Sequence, residues 1–289
     1  MKNIIYLILF TSSLISDGDI LIKKYSTMRM KFPFVGIVET TMNQFVAQGF
    51  YKEVEKVDAE SWIASPFIDE ETGIIIIDGT DNIMSYDVEK KEYWTESLEE
   101  YFNKSDSISS TENKTEEGDT DSLSNTWKDP LIGGFISSTS AVEIKREQEN
   151  EIINLNGFQT KKWITTVLDS TDNPVMIFEE WFLDTLPLVV IFDSLKTDLF
   201  DRLNPNKEIN QENSGAFFSS NYFVESLDKN NSLVPLDGYP IKFSMHLYED
   251  VKEIVSMSFE IKELYAISFD ASYFTVPEKY KRINKTNKP

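Results

Sequence analysis

No cysteine occurs in the 289 residues, and His246 is the single histidine. The first absence excludes disulfides, thiolate nucleophiles, cysteine-ligated zinc and a lipid anchor on an N-terminal cysteine. The second excludes a multi-histidine metal site and leaves one residue around which any histidine triad would have to be built. Basic residues are scarce, with 28 Lys and Arg against 49 Asp and Glu and a formal charge of −21. Nucleic acid is therefore not an expected partner, because tracking phosphates takes a clustered basic stripe. Gly-rich phosphate loops, a Gly-x-Ser-x-Gly elbow and a His-Glu-x-x-His helix are also missing. No motif points to a cofactor, a metal or a catalytic residue, and the expectation is a protein that is not an enzyme.

A long apolar run is missing too. Ile4 to Phe10, after Lys2 and before Ser12, Ser13 and Ser16, is an unbroken apolar stretch, but a bilayer crossing takes about 20 such residues. The pattern reads as a signal peptide over residues 1–16, with no transmembrane span and a periplasmic or secreted mature chain. The alternative is a buried first strand.

What is present is material for a core, with 40% hydrophobic and 13% aromatic residues. From Ile20 the period is two: Ile22, Lys24, Ser26, Met28, Met30 and Phe32 alternate with Lys23, Tyr25, Thr27, Arg29 and Lys31, the mark of a strand with two unlike faces. Segments from Gly36 to Val46 and from Phe50 to Val57 continue as strands across Gln48-Gly49. Gly73 to Asp78 reads as a short strand covered on both faces, and Ile83 to Asp87 follows the turn at Asp78-Gly79. Ser97-Leu98-Glu99-Glu100 has capping-box spacing.

Residues 103–126 hold only Ile108 and Leu123 as large aliphatic side chains. They are expected to be a flexible acidic insertion in a single domain over 17–289, or else a linker between two domains. Strands are expected again from Ala141 to Leu155, Phe158 to Leu168 and Pro174 to Leu183. The period then changes: Leu188, Ile191, Phe192, Leu195, Leu199 and Leu203 recur at helical spacing between Pro187 and Asn204-Pro205. A weaker helix is expected over Ala216 to Leu227. The clearest alternation comes last, with Ile241, Phe243, Met245 and Leu247 and then Val255, Met257, Phe259 and Ile261 each on one face. That apolar face has to be covered, and the helix from Leu188 to Leu203 is the expected cover.

Two groupings invite a catalytic reading and carry it poorly. Glu179 and Glu180 are neighbours on a strand, so they point to opposite faces and share no site. His246 and Ser244 share a face, which allows a contact, but a solvated histidine is the plainer expectation.

Four stretches carry a resemblance: Met28-Arg-Met-Lys-Phe-Pro-Phe-Val-Gly36, Asn156-Gly-Phe-Gln-Thr-Lys-Lys-Trp163, Glu180-Trp-Phe-Leu-Asp-Thr-Leu-Pro187 and Phe274-Thr-Val-Pro-Glu-Lys-Tyr-Lys281. Together they resemble a bacterial exported family of unknown function, related to the outer-membrane lipoprotein carriers and their sensor relatives, the LolA/LolB/RseB-like superfamily. The resemblance runs from about residue 20 to residue 283, outside the acidic insertion. It implies a mainly β fold, a curved, unclosed antiparallel sheet with helices packed on its concave face, enclosing an apolar cavity for acyl chains or a hydrophobic peptide. No ligand motif of the carriers matches here.

The expected function is thus an exported binding protein without a cofactor, holding a lipid, acyl chain or hydrophobic peptide. The residues expected to line its cavity are Met28, Met30, Phe192, Phe243, Met245, Met257 and Phe259. For any one of them taken singly, ordinary core is the plainer expectation. The alternatives are a cell-envelope module that engages another protein without a small ligand and, less favoured, a hydrolase whose carboxylates meet on folding.

Overall fold

Two runs of strands that pair in sequence order and one pairing between the runs build the molecule. In the computed structural model the described residues are 20–33, 35–61, 65–102, 143–204, 238–249 and 251–284, together with Ser220, Val224, Leu233 and Leu236. The expected signal peptide and the acidic insertion lie outside them, as does most of the expected helix at 216–227. Ser220 and Val224 of that helix are described, both helical and buried.

The first run comprises β1 (Ile20–Phe32), β2 (Gly36–Ala47), β3 (Phe50–Ala59), β4 (Glu70–Ile77), β5 (Asn82–Asp87) and β6 (Glu92–Ser97). The second comprises β7 (Glu143–Leu155), β8 (Phe158–Leu168), β9 (Pro174–Leu183), β10 (Tyr239–Glu249) and β11 (Lys252–Ser268). Each run pairs antiparallel in sequence order, and β1 pairs antiparallel with β11, which makes one sheet of both. The short β12 (Lys281–Arg282) lies parallel to β6 at one end and β7 ends the other, so the sheet does not close on itself. The fold is thus mainly β, as expected, with few helices.

Local chemistry explains the turns. At Asn156-Gly157 both residues have positive φ, 54° and 92°, the primed geometry that suits a two-residue hairpin and that Asn-Gly adopts at little strain. Ser97 and Glu100 form the expected capping box: the Glu100 N–H donates to Ser97 Oγ at 3.1 Å and the Ser97 N–H to the Glu100 carboxylate at 3.2 Å. Residues 98–102 are helical behind it. A single turn, α1 (Ser65–Ile68), joins β3 to β4, and α2 (Pro187–Leu203) connects β9 to β10.

Helix α2 begins with proline at its first turn and ends where the Asn204 N–H donates to Phe200 O. Arg202 in its last turn pairs with Asp198 at 3.0 Å and with Asp78 of the β4–β5 turn at 2.5 Å. That placement sets a cation at the negative end of the helix and ties the end to the sheet. Its apolar side packs on β2, β3 and β11, where Phe192 and Leu199 meet Ile22, Val46, Tyr51, Ile76 and Ile83. These strand residues share one face, which we call inner: Ile22, Val46, Tyr51 and Ile76 are successive cross-strand neighbours.

The helix covers less than the alternation led one to expect. Val189 and the preceding Leu186 reach Ile241, Phe259 and Ile261. Farther along the same face Phe243, Met245 and Leu247 are covered by Val224 and Leu233. The outer face is covered as well at the β1–β5 end. There a 3-10 turn at Ala271–Phe274 and the residues after it pack Phe274, Val276 and Tyr280 on Leu21, Ala47, Ile75 and Tyr86. The β4 run is therefore covered on both faces, as its unbroken apolar sequence predicted.

Gly73 sits under that outer layer. A Cβ placed on it would meet the Tyr86 ring at 2.1 Å, because the ring lies across its cross-strand partner. Gly73→Ala should destabilise the fold by about 1–3 kcal/mol, the usual effect of overpacking, measured by urea unfolding. Phe192 is fully buried, so Phe192→Ala should cost about 3–5 kcal/mol in the same assay. A loss below about 1 kcal/mol would mean that α2 does not seal this part of the sheet.

Candidate functional site

The inner face carries two cross-strand rows of large apolar side chains. One runs Thr40, Met28, Phe259, Phe243, Glu180 and Trp163 from β2 to β8. The next runs Val38, Met30, Met257, Met245, Phe178 and Thr165. Six of the seven expected cavity residues thus stand in two adjacent rows, brought together by the β1–β11 ladder. Phe192 stands apart, in the cluster of Ile22, Val46 and Tyr51.

The rows are unevenly covered. Phe243 and Met245 are fully buried, and Met257 and Phe259 are buried. Met28 and Met30 of β1, and Met42 of β2, are only partly buried. Met30 flanks the cluster under Val224 and Leu233, and Met42 flanks the one under Leu186 and Val189. Met28 lies between the two covers and belongs to neither cluster.

Polar groups stand near the β8–β9 end of the rows and beside them on β1, and the apolar pattern did not single them out. At one end Glu180 is fully buried and accepts from the Ser220 N–H at 2.7 Å and the Ser220 hydroxyl at 2.5 Å. Arg146 donates to Thr165 Oγ1 at 2.9 Å and to Ser220 Oγ at 3.0 Å. The carboxylate is thus taken out of water with its hydrogen bonds supplied, as a buried charge requires. Glu179 points to the outer face and pairs with Lys162 at 2.7 Å, so the two glutamates separate as their adjacency predicted. His246 also lies on the outer face, but it is partly buried and held by Glu253 at 2.9 Å, in place of the expected solvated side chain. Ser244 approaches Glu179 at 3.5 Å. Glu253 is buried enough to raise its pKa, yet hydrogen bonds from His246 and Lys31 outweigh that and hold it below the usual carboxylate range.

Beside the rows, farther along β1, Lys24 and Ser26 continue the inner-face register between Ile22 and Met28. The Lys24 ammonium lies 4.2 Å from the centroid of the Phe192 ring, a cation–π contact under α2. Burial pushes its pKa down to about 8, opposed by Asp193 and Glu53 and reinforced by Lys196. Lys196 itself stands over the rings of Tyr51 and Phe200, at 5.0 and 5.8 Å. Beside them the Gln44 amide donates to Tyr51 Oη at 3.0 Å and to Glu53 at 2.5 Å, and the Tyr51 hydroxyl donates to Glu53 at 2.5 Å. Burial, then the Glu53 carboxylate, raises the Tyr51 pKa far above its ordinary value. Burial likewise raises Asp193, against the pull of Lys24 and Lys196. Ser26 Oγ is buried without a hydrogen-bond partner, the sole such side-chain atom among the described residues.

Among the described residues no group of three or more His, Asp or Glu side chains is gathered as a metal site. No described helix is long and apolar enough to cross a membrane. No protein-family model and no curated protein matches the sequence. Among solved structures, the crystal structure of a LolA superfamily protein from Nitrosomonas europaea aligns over 90% of this chain and 91% of its own. The pair share 7% identity at a TM-score of 0.24, values too low for the other protein's properties to carry over.

The Lys24 environment has a measurable signature. Its pKa in the folded chain, about 8, lies below the ordinary 10.5, so the unfolded chain holds the proton more tightly and stability should rise as pH climbs through that window. Chemical unfolding at pH 7.5 and pH 10 should show a smaller rise for Lys24→Met than for the natural chain. Equal rises would mean that Lys24 is not desolvated.

Proposed function

We propose that this chain is an exported, non-enzymatic binding protein that holds a lipid, acyl chain or hydrophobic peptide against the inner face of its sheet. The observation that carries the reading is the strip of partly covered methionines, Met28, Met30 and Met42, between the cover made by α2 and that made by Val224 and Leu233. Methionine is flexible and polarisable, so a row of it adapts to an irregular apolar guest. The buried neighbours Phe243, Met245, Met257 and Phe259 give the strip a firm apolar floor. The resemblance of the four sequence stretches to the exported carrier-related family points the same way. Glu180 with Ser220 near one end of the rows, and Lys24 under the helix beside them, mark polar borders suited to bounding a ligand.

Purification without detergent, followed by extraction and mass spectrometry, should recover a co-purifying amphiphile. Met28→Glu should weaken binding of a fluorescent acyl probe by roughly ten- to a hundredfold, the worth of one lost apolar contact. Because Met28 is partly exposed, the same change should leave the fold standing. Probe binding absent in the natural chain, or unchanged in Met28→Glu, would refute the site.

A further inference from the structure

We propose that the inner face binds a single-chain amphiphile with a carboxylate head, its head group held by Lys24 and Ser26 and its chain lying along Met28, Met30 and Met42. This rests on the apolar-ligand reading above and adds the chemistry of the head group. The chain carries 49 carboxylates against 28 cations, so most of its lysines could find acidic partners, and many do. Lys24 has none in contact: among the described residues its ammonium forms no ion pair within 4.0 Å, Asp193 and Glu53 act on it from farther off, and it is met by the Phe192 ring. A desolvated cation with no anion in contact is only partly offset by carboxylates farther away, and a closer negative charge would stabilise it.

Ser26 is the independent observation. It is two residues farther along the same face, about 7 Å on by strand geometry, 1% exposed, and its hydroxyl has no partner. An idle buried hydroxyl costs the hydrogen bond it gave up in water. A carboxylate has two oxygens and can answer both deficits, one oxygen toward the ammonium and one accepting from the Ser26 hydroxyl. The next residues of the register are Met28 and Met30, with Met42 across from Ser26, so the chain continues from the head onto the partly covered strip. Glu53 and Asp193 lie close enough to act on Lys24, and their repulsion favours a single negative charge over a doubly charged phosphate.

The test is titration calorimetry of the full chain, delipidated, with dodecanoate, dodecanol and dodecyl phosphate below their micelle concentrations. The natural chain should bind dodecanoate about tenfold or more tightly than dodecanol, the worth of a charge-assisted hydrogen bond, and more tightly than dodecyl phosphate. Lys24→Met should erase the preference over dodecanol while leaving dodecanol binding intact, and Ser26→Ala should reduce it. Lys24→Met removes a desolvated charge, so it should fold, and Ser26→Ala is a second arm that leaves the lysine in place. Equal binding of dodecanoate and dodecanol by the natural chain, or a preference that survives both substitutions, overturns the head-group site and leaves the apolar-ligand reading standing. Tighter binding of dodecyl phosphate overturns the choice of carboxylate. Binding of none of the three overturns both.

Discussion

The β1–β11 ladder is the joint on which the molecule depends. Within each strand run, neighbours in sequence pair, most of them across short connections whose closure costs little entropy, the exception being β9 and β10 with α2 between them. Only Ile20 to Lys31 against Ser268 to Ser256 holds the runs in one sheet, and that pairing joins segments at opposite ends of the chain. Closing so long a loop is offset by what the ladder buries: Leu21 and Ile22 at one end are fully buried, and Met257, Phe259 and Ile261 are buried farther along. Without it the Met28 and Met30 rows would stop at β1 and never meet Phe243 and Met245.

A bulge in β11 keeps that joint consistent. Tyr25 pairs with Glu263 but Ser26 pairs with Ile261, so Lys262 is the extra residue. On one side of it Val255, Met257, Phe259 and Ile261 face inward. On the other side Leu264 and Ala266 flank the cluster under α2. A strictly alternating β11 would have turned one of these sets outward, since a one-residue slip exchanges the faces. The bulge thus lets one long strand serve two covers, α2 at one end and Val224 with Leu233 at the other.

Ion pairs line the outer face. Lys162 joins Glu149 and Glu179, Lys262 joins Glu260, and Lys31 joins Glu253. Trp181 lies between the Lys162 and Lys242 ammoniums, at 5.2 and 4.6 Å. Such partly exposed pairs contribute little each, but they keep the outer face of β8–β11 polar and leave the apolar material to the inner one. The inner face keeps its own few polar groups, among them Glu180, Gln44, Lys24 and Ser26, and of these Ser26 alone has a buried side-chain atom without a hydrogen-bond partner among the described residues.

Most strands, the long helix, the capping box at Ser97 and the separation of Glu179 from Glu180 were legible in the residue order. Each rests on period, cap or turn chemistry within a few residues. Period likewise put Met28 with Met30, Phe243 with Met245 and Met257 with Phe259 on one face of their own strands, whereas the β1–β11 and β10–β11 ladders decided that the three faces coincide. β6 was not foreseen, because Glu92 to Ser97 carries too little apolar alternation to show a face. Lys24 and Ser26 left a faint sign, a polar pair inside an apolar register, but the pattern cannot say what lies above a strand. That Phe192 sits over Lys24 instead of with the methionines, that Glu180 meets Ser220, and that a C-terminal turn covers Leu21 and Ile75 were decided by tertiary structure alone. Side-chain period fixes which way a residue points, whereas its neighbour across the layer comes from a distant part of the chain and is chosen by register, bulge and packing.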